Sequence, residues 1–190
     1  ALERYAPLFQ AAFHEATGAW RHQLQRDDPE EYTATTPWWI QAYGNMLELY
    51  LYRATSDTVH LARFRRGADF WNDHFIDPEY GGAYLSAGLD GSLHNGHKAV
   101  RSKTSYHSME HGLLNYLYLT LWVEKKPVTL HFRIRRSAAG DRFSPHLLED
   151  PEIRIRSVVI NGEPWPDFQA EEGWITLPAL QEGKVQVELR

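Results

Sequence analysis

The chain of 190 residues contains no cysteine. That excludes a disulfide framework and any thiolate chemistry, and it suits a reducing setting; cytoplasmic is the expectation. It holds no apolar run approaching the roughly 20 residues of a membrane span, and nothing at its start reads as a signal peptide. Positive charge is in short supply: the formal net charge is -5, which argues against the basic face that a general nucleic-acid binder needs. Neither nucleic acid nor membrane is therefore expected as a partner. What is present is apolar and aromatic weight, 43% hydrophobic residues with seven Trp and ten Tyr. That is enough for one sizeable domain, or one with a small annex. Ala1 already lies inside an amphipathic pattern with no initiator Met before it, so the expectation is a piece of a longer protein.

The amphipathic spacing of Leu2, Tyr5, Phe9, Phe13 and Ala16 predicts a helix over about 2–16, ended by Gly18. Residues 19–36 are polar and rich in turn formers and read as a loop, with room for a short ribbon. A second helix follows Pro37. It is apolar round most of its circumference, with Gln41, Asn45 and Glu48 as its one polar stripe. Such a stripe on an inner helix must either be hydrogen-bonded within the core or face a cavity. Ser56 or Asp57 caps a third helix, apolar on one side only, which stops at Asp77-Pro78. Gly81-Gly82 and Asp90-Gly91 then bracket a hairpin or long ordered loop. Inner and outer helices alternate in this way in an α/α toroid.

The segment Lys103–His111 carries the densest titratable chemistry. Thr104 or Ser105 can cap a fourth helix, on which His107, Glu110 and His111 share one face at i, i+3 and i+4. The following run from Leu113 to Trp122 is apolar nearly all round, so it must be buried. After Pro127 the pattern changes to period two, in Val128, Leu130, Phe132 and Ile134 and again in Val185, Val187 and Leu189, with Asn161-Gly162 as a type I′ turn signal. The chain thus reads as mainly α, a helical part over 1–126, followed by a small all-β antiparallel annex over 127–190 of about four or five strands.

Three motifs resemble the N-acylglucosamine 2-epimerase-like superfamily, the group that includes the cellobiose 2-epimerases. Trp38-Trp39-Ile40-Gln41-Ala42 resembles its W-W-x-Q-A-E helix. His74-Phe75-Ile76-Asp77 through Gly81-Gly82-Ala83-Tyr84, with Asp90-Gly91, resembles its H-F-x-D-x-x-x-G-G-x-Y…D-G segment. Lys103-Thr104-Ser105-Tyr106-His107 resembles its K-x-x-Y-H block. Order and spacing agree over residues 38–124. The resemblance implies the C-terminal portion of an (α/α)6 barrel, about four of its twelve helices. It also implies epimerisation or isomerisation of a reducing sugar at C2 through an enediolate, with no cofactor and no metal. Two His serve as base and acid in that chemistry, since imidazole titrates near neutrality. His107 would be one; the other is expected upstream of Ala1. Trp38, Trp39, Tyr43 and Tyr106 would wall or stack on the sugar, Gln41 and Lys103 would bind hydroxyls, and Glu110 and His111 would orient His107. The barrel would need its missing N-terminal part, or self-association. Three positions depart from the family pattern: Tyr43 stands for its Glu, Glu110 for its Arg, and Ser102 for its Trp.

Two other readings stay open. A degenerate barrel could bind carbohydrate without turning it over, or serve as a scaffold, since fold does not fix function. Alternatively, His107-x-x-Glu110-His111 matches the inverted zinc-peptidase motif, for which Glu171, Glu172, Glu182 or Glu188 could be nominated as a third ligand, each in or near the β annex.

Overall fold

A computed structural model describes residues 8, 9, 11–23, 34–145, 148 and 150–190. They fall into two compact units, Ala1–Tyr116 and Leu117–Arg190. No helix among the described residues is long and apolar enough to cross a membrane.

In the first unit the leading helix ends at residue 12, earlier than its spacing predicts. Residues 1–7 and 10 lie outside the described set, and residues 11 and 12 are helical. The backbone then turns into a two-stranded ribbon, β1 (Phe13–His14) against β2 (Ala19–Trp20). Gly18 makes the reversal at φ 86, donating its N–H to His14 O at 2.8 Å. A side chain there would be both strained and blocked, because the Arg66 carbonyl fills the place of its Cβ. The rings of Phe13 and Trp20 meet edge to face at 5.3 Å, so residues that looked helical by spacing are buried as a cross-strand pair.

Three helices follow. α1 (Trp38–Thr55) begins after Pro37, which supplies no side-chain cap, and ends at Ser56 in the left-handed region at φ 60. α2 (Thr58–His74) is capped as its sequence predicts: the Asp57 carboxylate accepts from Val59 N. α3 (Tyr106–Tyr118) opens with Tyr106 N donating to Thr104 Oγ1 at 3.3 Å and runs on into a wider turn of π-helix over Leu119–Val123. Between α2 and α3 the chain forms β4 (Ser86–Gly88) and β5 (Leu93–Asn95); with β3 (Thr35–Pro37) they make a three-stranded antiparallel sheet in the order β3-β4-β5. The core here gathers Ala19, Trp38, Ala42, Phe70, Trp71, Phe75 and Leu89.

The polar stripe of α1 turns inward and is paired there. Gln41, fully buried, accepts from Trp20 N at 2.9 Å and donates to the carbonyls of Gly18 and Gly67 at 2.9 and 3.0 Å. One turn on, Asn45 meets His111 of α3; a turn further, Glu48 meets His60 of α2 at 2.6 Å. These bonds lock the three helices in register from the inside.

The second unit is all antiparallel, with a four-stranded sheet in the order β6-β12-β8-β9 and a three-stranded one in the order β10-β11-β7. In the larger sheet β6 (Val128–Ile134) and β8 (Ile155–Ile160) flank β12 (Gly183–Leu189), and β9 is Glu163–Pro164. β7 (Arg142–Phe143), β10 (Phe168–Gln169) and β11 (Trp174–Thr176) form the smaller. The alternation is that of a half-buried sheet: Val128 and Leu130, then Val185, Val187 and Leu189, are all buried. Asn161 and Gly162, at φ 53 and 91, make the tight turn between β8 and β9 that their dipeptide predicts. The described chain is thus a partial helical fold joined to a β part, with less helix relative to strand than the sequence spacing suggests.

Candidate active site

His107 sits in the first turn of α3, where its ring is enclosed by aromatic neighbours. The centroids of Tyr106, Tyr43 and Trp38 lie 5.0, 5.3 and 5.9 Å from its own. Its side chain remains 30% exposed. Nδ1 lies 3.1 Å from the hydroxyl of Tyr43, across from α1. That hydroxyl donates in turn to Glu110 Oε2 at 2.9 Å, and Tyr106 donates to Glu110 Oε1 at 3.1 Å. The carboxylate of Glu110 is thus held by two phenols, with its nearer oxygen 3.9 Å from His107 Nδ1. Burial, then the hydrogen bond to Glu110, pushes the Tyr43 hydroxyl up to about 12; the Tyr106 hydroxyl is raised chiefly by its bond to the same carboxylate. Both phenols keep their protons at neutral pH and act as donors. Among the described residues His107 Nε2 has no hydrogen-bond partner. An apolar groove of about 490 Å³, lined by Ile40, Met46, Leu47, Tyr50 and Leu114, reaches this cluster at Tyr43 and Glu110.

The other residues that the motifs point to divide into walls and braces. Trp38 is buried and packs in the core, and Lys103 Nζ lies 5.3 Å from its ring. Trp39 is half-buried, its ring edge-on to His22 at 5.8 Å. Gln41, expected to bind a hydroxyl, spends both ends of its amide on the backbone of β2, Gly18 and Gly67 and has no surface to offer. Lys103, expected in the same role, is 5% exposed and donates to Lys98 O at 3.0 Å, and burial lowers its pKa. His111, expected to orient His107, is also turned away from it. It is 6% exposed, packs on Trp71 at 4.6 Å and lies 3.3 Å from Asn45 Nδ2. Burial pushes it down to about 4, so it is neutral and takes the amide proton.

The geometry also separates the two His of the zinc-like pentapeptide. One faces the aromatic cluster and the other the core, while Glu110 is engaged by the two tyrosines. No group of three or more His, Asp or Glu that could hold a metal occurs among the described residues.

The Gly-rich motif braces the loop between α2 and β4. Asp77 accepts from the N–H groups of Glu79 and Tyr80 at 2.9 and 3.1 Å and from Lys98 Nζ at 2.6 Å. The Lys98 bond, with those two N–H donors, holds its carboxyl down at about 2. Single-motif reading missed the partnership of Tyr43 with Glu110, two residues far apart in the chain. The signal was there, since both depart from the family pattern and both fall at the same site.

No protein-family model matches the chain, and no curated protein matches it in sequence. Solved structures do match. Over 60% of this chain it is similar to 29% of a D-mannose isomerase, at 21% identity and a TM-score of 0.51. It is likewise similar to the cellobiose 2-epimerase of Bacillus thermoamylovorans, at 22% identity and a TM-score of 0.51, over the same shares of the two chains. For the cellobiose 2-epimerase of Spirochaeta thermophila the values are 23% identity and 0.54, over 62% of this chain and 30% of that one. The chain therefore spans about three tenths of the length of these structures. Over the matched stretch it shares their fold.

Proposed function

We propose that this chain forms part of a sugar 2-epimerase or aldose–ketose isomerase in which His107 moves the proton at C2 of a reducing sugar. The observation that carries the reading is the His107 ring itself. It sits at a helix start between aromatic walls, part exposed, with one nitrogen held and the other unpartnered among the described residues. An imidazole so placed can take a proton from a carbon next to a carbonyl and give it back, through an enediolate, without a cofactor. Epimerisation needs a second group on the opposite face of the sugar. The reading places that group in another part of the assembled protein. Tyr106 and Tyr43 would lie against the sugar ring, and the apolar groove beyond Tyr43 would be covered by further barrel helices or by a second copy.

Replacement of the family's charged contacts by Tyr43 and Glu110 favours a second reading, a site that binds carbohydrate without turnover. One experiment separates them. The protein is incubated with a panel of reducing sugars in heavy water, and C2 is examined for deuterium. The proposal expects incorporation that disappears in His107→Gln. Binding without incorporation supports the second reading, and incorporation that survives His107→Gln refutes the first.

A further inference from the structure

We infer that Tyr43 and Glu110 are positioning residues that fix His107 as its Nδ1–H tautomer, leaving Nε2 as the atom that accepts the proton. The inference rests on His107 being the acid/base group, and it assigns work to two residues that stand where the resembling family has others.

The argument is a count of protons. The Glu110 carboxylate, when ionised, has none to give, so it accepts at both oxygens. The single hydroxyl proton of Tyr43 is therefore committed to Glu110 Oε2 at 2.9 Å. Towards His107, 3.1 Å away, the same oxygen can then only accept, so Nδ1 must carry a hydrogen. A neutral imidazole has one N–H, which leaves the lone pair on Nε2. The reverse arrangement, Tyr43 donating to Nδ1, would set its oxygen lone pairs against the carboxylate. Tyr106, bonded to Oε1 at 3.1 Å, holds Glu110 in place without touching this choice.

The consequence for the reaction is local. When Nε2 takes a proton from C2, the electron pair stays on the sugar as enediolate and the ring becomes imidazolium. Its Nδ1–H keeps the bond to Tyr43, and its new charge faces Glu110 at 3.9 Å. When Nε2 returns the proton, the ring regains its starting tautomer with no rotation.

Tautomers are read without any sugar, from long-range proton–nitrogen correlations of the ¹⁵N-labelled chain. His107 is expected with Nδ1 protonated and Nε2 bare. Tyr43→Phe is expected to move it to the Nε2–H form that free imidazole side chains favour, Glu110→Gln to a mixture of both, and Tyr106→Phe to leave it unchanged. Tyr43 is 39% exposed, so loss of its hydroxyl leaves packing intact; unmoved His111 signals in the same spectra report an intact fold. An Nε2–H form in the parent chain, or an unchanged tautomer in Tyr43→Phe or Glu110→Gln, overturns the inference whatever the activity. A correct tautomer with no deuterium at C2 overturns the epimerase reading and leaves the tautomer assignment standing.

Discussion

Two helical glycines in the first unit should respond in opposite directions to the same substitution. In a helix interior, alanine is favoured over glycine by about 1 kcal/mol, because it loses less backbone freedom. Gly112, on α3, has open space where a Cβ would go; Gly112→Ala should stabilise the unit by about that amount. Gly67, on α2, is different. A methyl group there would overlap Asn45 Oδ1, whose side chain is wholly buried between Gln41 and His111. Displacing it weakens buried hydrogen bonds, at about 1–3 kcal/mol, and overpacks the α1–α2 contact, at about 1–3 kcal/mol. Against a propensity gain of about 1 kcal/mol, Gly67→Ala should lose about 3 kcal/mol. Urea unfolding followed by tryptophan fluorescence measures this. With a slope near 2 kcal/mol per molar, the midpoint should fall by about 1.5 M for Gly67→Ala and rise by about 0.5 M for Gly112→Ala. If Gly67→Ala is as stable as the parent, Asn45 can move aside without penalty and the locked polar stripe is wrong.

Two further effects follow from the buried titratable groups. His111 is pushed down from 6.5 to about 4 by burial, so the folded state binds fewer protons than the unfolded chain between those values. Its contribution is complete above about pH 6.5 and is lost as the pH falls to about 4, a change of about 3 kcal/mol that His111→Gln should flatten in urea titrations across that window. His60→Ala leaves Glu48, 1% exposed, without its partner and should cost about 3 kcal/mol. Burial already raises the Glu48 pKa, so the loss should grow as the pH rises from about 5 to about 8 and ionisation of the unpartnered carboxyl is increasingly favoured in the unfolded chain. Equal losses at the two pH values would contradict this.

Much of the fold was legible because local chemistry and tertiary demand agreed. Asp57 caps α2, Asn161-Gly162 turns between β8 and β9, and the period-two runs are the sheet strands. The first helix was overextended because Phe13 fits a helical stripe and a strand face equally well. What decides is the reversal at Gly18, at φ 86, where the Arg66 carbonyl of α2 leaves no room for a side chain. At the candidate site, spacing put His107, Glu110 and His111 on one face of α3 but could not tell how they divide. A separation of one turn sends His111 to Asn45 and the core, while His107 meets Tyr43. Gln41 shows the same limit: a polar residue on an inner helix reads alike whether its partner is a ligand or a backbone carbonyl.

The placement of β12 bears on synthesis. It bonds to β6 on one side and β8 on the other, so two strands made earlier by the ribosome have no direct pairing to each other in the finished sheet. β6 therefore gains its ladder partner only once residues 183–189 have been made. A chain stopped just before Gly183 would lack the strand that bonds to both β6 and β8.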